Sequence, residues 1–186
     1  MPNLFWDFSV NIYGHDGVPA ACLALQENCE IDVNMILFCC WAGEIGAGRL
    51  DVQDLRTALG AINGWHREIV RGLRMVRNQL TNGFRGFDDE TVRTFRQKIL
   101  NLELESERME QDRLLGTISL SSNANASPQQ RATDTAANLA NYFTLSGSLT
   151  YKDSNSHVAN ILAACFSELP KSDIEEIVAS NFESSS

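Results

Sequence analysis

Helical periodicity is the feature of this sequence that most constrains its fold. Apolar residues recur every three or four positions in successive segments, which is the spacing of one face of an α-helix. The alternation of apolar and polar residues that marks a half-buried strand is nearly absent. The sequence therefore predicts an all-α fold, a compact orthogonal bundle of five to eight helices.

The length of the chain fits one domain followed by an extension. The 186 residues, of which 44% are hydrophobic, can form a substantial core. We predict a helical core domain over residues 1–120 and a polar linker over 121–130, within the Ser- and Asn-rich stretch "SLSSNANASPQQ". The remaining residues, 131–186, form a helical extension rich in small residues, which we expect to be loosely specified and partly mobile.

The charge and the apolar runs restrict the setting of the protein. A net charge of −9 argues against a protein that coats nucleic acid or an anionic membrane. The most apolar stretch, "VNMILFCCWAG", is about half the ~20 residues that a membrane-spanning helix needs. The amino-terminal residues do not resemble a secretion signal. We therefore expect a cytoplasmic protein without a membrane anchor.

An arginine-rich stretch, "GWHREIVRGLRMVRNQL", stands out in this acidic chain. On a regular helix its apolar residues share one face, which we predict to be the core face: Ile62, Trp65, Ile69, Leu73, Val76 and Leu80. The arginine face lies opposite and consists of Arg67, Arg71, Arg74 and Arg77. We predict that Ile69, Leu73 and Val76 are buried and that the arginines project outward.

Three interpretations of the arginine face stay open. The glycine-marked turn "TNGFRGFDDE" leads into an acidic helix whose Glu103, Glu107 and Glu110 could pair with the arginines in a helical hairpin. The arginines could instead be solvated, or they could bind a partner, since guanidinium groups bind carboxylates and phosphates through two hydrogen bonds. Few aromatic residues lie beside them, so nucleic acid is an unlikely partner.

The cysteines and the other reactive residues show no known catalytic or metal-binding spacing. The five cysteines are an odd number without a Cys-x-x-Cys pair, and they are Cys22, Cys29, Cys39, Cys40 and Cys165. We interpret them as buried structural thiols without metal. The chain also lacks Gly-x-Ser-x-Gly and phosphate-binding loop motifs. Nothing in the sequence therefore calls for a catalytic residue or a cofactor.

Two quoted segments together resemble a known but uncharacterised family. "FWDFSVNIYGHDGVPAACLALQENCEIDVNMILFCCWAG", followed by the arginine-rich stretch, is similar to small proteobacterial proteins grouped as a domain of unknown function, over about residues 4–115. The resemblance implies a helical fold and a bacterial cytoplasmic setting, and it brings no activity. This chain carries Gly72 where the family commonly has proline, which leaves the arginine helix without a predicted kink, and Glu30 where glycine is common.

The family pattern also draws attention to polar residues among apolar ones. Gln26, Asp32 and Asn34 are either hydrogen-bonding residues at helix junctions or the lining of a small polar pocket. The full set for such a pocket is Asp7, Gln26, Asp32, Asn34 and Trp41.

The function that we expect from the sequence is that of a non-catalytic adaptor or regulator. Its partner would be a protein with an acidic or phosphate-bearing surface, bound through the arginine face. The alternative is a small-molecule binder or an enzyme that uses the polar pocket. The oligomeric state does not follow from the sequence.

Overall fold

The structure, a computed structural model, describes residues 4–148 and 154–183, and all regular structure in these ranges is helical. The α-helices are α1 (Leu4–Tyr13), α2 (Val18–Cys29), α3 (Val33–Glu44), α4 (Val52–Trp65), α5 (Arg71–Gln79), α6 (Asp89–Leu115), α7 (Pro128–Ser146), α8 (Ser154–Cys165) and α9 (Lys171–Glu183). A five-residue π-helix, His66–Val70, joins α4 to α5 directly. Because α4, the π-helix and α5 follow one another without a break, they count as one continuous helix, which gives eight helices in the described ranges. The predicted all-α fold of five to eight helices is confirmed.

None of the helices in the described ranges is both long enough and apolar enough to cross a membrane.

The contacts within the chain define two compact units. The first unit comprises residues 1–57 and 118–186, and the second comprises Ala58–Thr117. This division differs from the predicted boundaries, because the helices after residue 118 belong with the amino-terminal helices rather than forming an extension. The mobility expected for residues 131–186 stays a prediction.

The core of the first unit is built by helices from both ends of the chain. Helix α2 packs against α8, α3 packs against α7, and α9 packs against both α7 and α8. Each contributes fully buried apolar side chains, among them Leu25, Phe38, Phe143, Leu162 and Val178. The carboxyl-terminal helices therefore complete a core that α2 and α3 begin.

A glycine allows α3 and α7 to approach each other closely. A Cβ atom placed on Gly43 would lie 1.7 Å from Oγ1 of Thr135 on α7, so no larger residue fits there without displacing α7. A few residues later, Gly46 has a φ of 69°, and a Cβ there would lie 2.3 Å from the carbonyl oxygen of Asn123. The segment after α3 is thus held against the segment before α7.

Polar side chains on α7 hold the ends of other elements in this unit. The Asn138 side chain accepts a hydrogen bond from the N–H of Leu50 at 2.8 Å and donates one to the carbonyl of Gly48 at 3.1 Å. The hydroxyl of Tyr142 accepts a hydrogen bond from the N–H of Asp32 at 2.8 Å. These buried polar groups are satisfied within the protein, and they fix the start of α3 and the segment that precedes α4.

Candidate interaction surface on the α5–α6 hairpin

The second unit contains a helical hairpin in which the π-helix and α5 pack against α6. The turn between the helices contains Gly83 and Gly86, whose φ values of 79° and 92° are in the left-handed region that glycine adopts readily. Asp88 caps α6 by accepting a hydrogen bond from the N–H of Thr91 at 2.9 Å, and its hydrogen bonds with Thr91 lower the pKa of Asp88. The predicted glycine-marked turn and acidic helix start are confirmed.

The contact between α5 and α6 is ionic. The Nε atom of Arg74 donates to Glu103 at 2.8 Å, and a terminal nitrogen of Arg74 donates to Glu107 at 2.6 Å. Arg77 donates hydrogen bonds to both carboxylate oxygens of Glu103. Two arginines and two glutamates thus form a neutral cluster, in which the Glu103 side chain is only 5% exposed. The interpretation of internal pairing is confirmed for Arg74 and Arg77.

Burial and charge act against each other in this cluster. Burial would lower the pKa of Arg74, but the hydrogen bonds and charges of Glu103 and Glu107 outweigh it and raise the pKa, so Arg74 stays protonated. Burial also raises the pKa of Glu107, although the neighbouring Arg74 opposes this increase. The charged state of each buried group therefore depends on the opposite charges of its partners.

Further polar contacts join the two helices along the hairpin. Nδ1 of His66 lies 3.3 Å from both carboxylate oxygens of the buried Glu110. The indole N–H of Trp65 donates to the carbonyl of Ser106 at 3.0 Å. The predicted acidic row therefore lies along the arginine helix as expected, and Glu110 lies beside His66.

The π-helix explains why the arginines face inward. The N–H of Arg71 donates to the carbonyl of His66, five residues earlier, so this turn holds more residues than an α-helical turn. Buried or paired residues consequently follow each other at intervals of four: Ile62, His66, Val70 and Arg74. One extra residue has turned the following helix so that Arg74 faces α6.

Two predictions about this helix are therefore wrong. Ile69 and Val76 are not buried, since they are 39% and 36% exposed, while Leu73 is half-buried. Arg74 does not project outward, because its side chain is only 17% exposed. The helix is also not a regular α-helix, because the π-helix interrupts it. The absence of a kink at Gly72 stays a prediction.

The remaining arginines of the predicted face stay at the surface. Arg67 is exposed and forms an ion pair at 2.9 Å with the neighbouring Glu68, and Arg71 is exposed as well. The arginine face is thus split into an inward pair and an outward pair. The binding of a partner by these arginines stays a prediction.

The hairpin instead exposes large apolar side chains. Seven of them are between 36% and 64% exposed, and with the half-buried Leu80 they form what we call the hairpin surface: Ile69, Val76, Leu80, Phe84, Phe87, Phe95, Leu102 and Met109. Sequence periodicity had assigned three of these residues to the core. The five from Phe84 to Met109 were not singled out as a surface, and the seven-residue spacing of Phe95, Leu102 and Met109 on α6 is the pattern that could have revealed part of it.

The apolar residues of the two helices lie on one side of the hairpin. Phe95, Leu102 and Met109 follow each other at seven-residue intervals, about two helical turns, and so form one row on α6. A groove of about 550 Å³ is lined jointly by Leu80 from the end of α5, by Phe84 and Phe87 from the turn, and by Phe95 from α6. The groove therefore joins the two apolar rows at the tip of the hairpin.

The residues of the alternative polar pocket all lie in the first unit, and the pocket itself stays a prediction. The Asp32 carboxylate caps α3 by accepting a hydrogen bond from the N–H of Asn34 at 2.9 Å, so both residues belong to a helix junction as one interpretation held. Gln26 is half-buried and Asp7 is exposed. Trp41 packs against Phe8, with 5.5 Å between the ring centroids.

The cysteines are free thiols, and all five are buried. Burial raises the pKa of Cys22 to about 12, and it holds the pKa of Cys39 well above its ordinary value. Thiols in this state are neutral at physiological pH, which makes them weak nucleophiles and weak metal ligands. The predicted burial of the thiols is confirmed, and the absence of a bound metal stays a prediction.

Comparison with known proteins assigns the chain to a family. Residues 4–114, well over half of the 186-residue chain, match the family described as "Protein of unknown function (DUF2390)". The chain belongs to the DUF2390 family. Comparison with curated proteins and with solved structures gives no match. The matched range of this DUF2390 protein includes every residue of the hairpin surface and excludes α7, α8 and α9.

Proposed function

We propose that this DUF2390 protein is a non-catalytic helical adaptor that docks a helical surface of a protein partner through the hairpin surface. The observation that carries the proposal is the exposure of seven large apolar side chains along one side of the hairpin. Half-exposed side chains of this size present roughly 700 Å² of apolar area, more than the largest patch of a typical monomer, about 300–600 Å². A patch of this size favours a binding role.

The arrangement of the surface suits a helical partner. Rows of apolar residues spaced by two turns form ridges that fit between the side chains of another helix. The groove at the hairpin tip offers a cavity for a large apolar side chain, and Glu90 and Lys98 are among its lining residues. The buried ion cluster beneath holds α5 and α6 in a fixed arrangement, so little order has to be gained on binding.

The proposal also includes the cellular location of the protein and the charge of its partner. The family resemblance favours a bacterial cytoplasmic protein, and an acidic or phosphate-bearing edge on the partner would suit the exposed Arg67 and Arg71. A function in small-molecule binding or catalysis is not favoured, because Asp32 and Asn34 serve the cap of α3.

Affinity capture from a lysate of the source organism, quantified by mass spectrometry, tests the adaptor proposal. The double variant Phe87→Ser/Phe95→Ser removes two aromatic rings that are 64% and 51% exposed. The matched control is Leu23→Ser, which removes a residue that is 50% exposed on α2 in the first unit. We expect the wild type and the control to retain the same partner, and the double variant to lose most of it.

Circular dichroism of all three proteins establishes that they are folded alike. Equal retention by the double variant and the control would contradict the proposal, since the partner would then bind elsewhere.

A further inference from the structure

We infer that the hairpin surface binds the hairpin surface of a second copy of this chain, so that two hairpins form a two-fold symmetric four-helix interface. This inference names the partner and rests on the proposed docking function.

The exposed apolar area of the hairpin surface is close to the area that each subunit of a stable dimer buries. Each copy offers roughly 700 Å² of exposed apolar side chain, close to the ~800 Å² that each partner buries in a standard stable interface. In a two-fold contact each copy contributes the same patch. A contact centred on the apolar row of α6 therefore removes this row of both copies from water without any other component.

The helical geometry also favours a second copy. One hairpin supplies two neighbouring antiparallel helices with an apolar side, and two such hairpins complete a four-helix bundle. On α6 the apolar row is evenly spaced about Leu102, with Phe95 seven residues before it and Met109 seven residues after it. A two-fold axis near Leu102 thus brings Phe95 of one copy toward Met109 of the other.

Charges beside the apolar row are complementary in this arrangement. Lys98 and Glu105 lie about one turn before and after Leu102, and both are exposed. Within the part of the chain that the structure describes, neither takes part in an ion pair. The same two-fold axis brings Lys98 of one copy near Glu105 of the other, which gives two favourable pairs at the edge of the interface.

Sedimentation equilibrium of the full-length protein over a wide range of micromolar concentrations tests the inference. We expect a mass of about twice 20.6 kDa for the wild type. Leu102→Glu places two carboxylates in the interface and should raise the dimer Kd by about a hundredfold or more. The control is Leu104→Glu, because Leu104 is 44% exposed on the same helix but points about 200° away from Leu102. This control should remain dimeric.

A charge exchange tests the position of the two-fold axis. Lys98→Glu should weaken the dimer, and Lys98→Glu combined with Glu105→Lys should restore it. Circular dichroism checks that each variant is folded, and Phe95→Ser replaces Leu102→Glu if the latter does not fold.

The outcomes separate this inference from the proposed function. A wild type that stays monomeric overturns the inference, whereas hairpin-dependent capture of a different protein would still uphold the adaptor proposal. A monomer without hairpin-dependent capture overturns both. Equal dimerisation of Leu102→Glu and Leu104→Glu, or a charge exchange that restores nothing, also overturns the inference, because the copies would then meet elsewhere or about another axis.

Discussion

Glu30 ends α2 in a backbone conformation that suits glycine. Its φ is 53°, and among the described residues it is the only non-glycine residue in the left-handed region. An L-residue pays about 1–2 kcal/mol for this conformation, and glycine avoids most of that cost. The glycine that the resemblance implies at this position would avoid this cost.

Replacing Glu30 with glycine is therefore expected to stabilise the protein. We predict that Glu30→Gly raises the free energy of unfolding by about 0.5–1 kcal/mol, because the relief of strain exceeds the added flexibility of the unfolded chain. Urea unfolding measures the change, and Glu30→Ala serves as the control that keeps the strain. A glycine variant no more stable than the alanine variant would contradict this account.

The buried thiol of Cys22 makes stability depend on alkaline pH. Its pKa is about 12 in the folded protein against an ordinary value of 9.0, so above pH 9 the unfolded chain loses a proton that the folded chain retains. The unfolded state is thereby favoured, and the contribution to stability is lost as the pH rises from 9 toward 12.

We predict that the free energy of unfolding falls more steeply with pH in the wild type than in Cys22→Ala. The difference in slope should approach about 1.4 kcal/mol per pH unit within this window. Urea unfolding at pH values on both sides of 9 measures both slopes, and the other ionising groups cancel in the comparison. Parallel slopes would show that Cys22 ionises as easily when folded as when unfolded.

At the scale of elements, the ion cluster makes the stability of the α5–α6 hairpin sensitive to a charge reversal at Arg74 but not at Arg67. Arg74→Glu would place a third carboxylate beside Glu103 and Glu107, and we predict a loss of about 3–5 kcal/mol in the free energy of unfolding. Arg67→Glu is the matched control, since the Arg67 side chain is 64% exposed, and it should change stability by about 0.5 kcal/mol or less. Similar losses in urea unfolding for both variants would refute the inward assignment of Arg74.

Much of the hairpin could be predicted from its sequence, but its orientation could not. Local chemistry identified the two helices, the glycine turn and the acidic row, because these depend on residues close together in the chain. The hydrogen bond from Arg71 to His66 cannot be recognised from the spacing of the apolar residues. That spacing fits a regular helix of 3.6 residues per turn with Ile69 and Val76 on its core face. The exposure of the α5 part of the hairpin surface was missed for the same reason.

At the scale of the whole molecule, the match to the DUF2390 family does not delimit a folding unit. A chain that ends at Thr117 lacks α7, α8 and α9, which cover the apolar sides of α2 and α3 in the first unit. We predict that this shortened chain shows no cooperative urea transition and little near-UV circular dichroism, in contrast to the full-length protein. Cooperative unfolding of residues 1–117 would instead support the core domain predicted over 1–120.

The predicted linker makes contacts that its composition does not indicate. Residues 121–127 are polar and not helical, as a linker would be. Yet the N–H of Asn123 donates to the carbonyl of Ile45 at 2.9 Å, and Gly46 lies directly against Asn123. A contact between residues so far apart in the chain cannot be inferred from the composition of either segment, although the cap and proline that begin α7 could be predicted.

Because of the π-helix, the number of residues before α5, and not only their chemistry, determines which face of α5 contacts α6. Losing one codon between His66 and Val70 would return the turn to α-helical phase and rotate α5 by about 100°. Arg74 and Arg77 would then leave Glu103, and the apolar row would take their place against a buried carboxylate. A substitution at the exposed Arg67 or Glu68 alters one side chain, whereas an in-frame deletion at the same codon turns a different face of α5 toward α6.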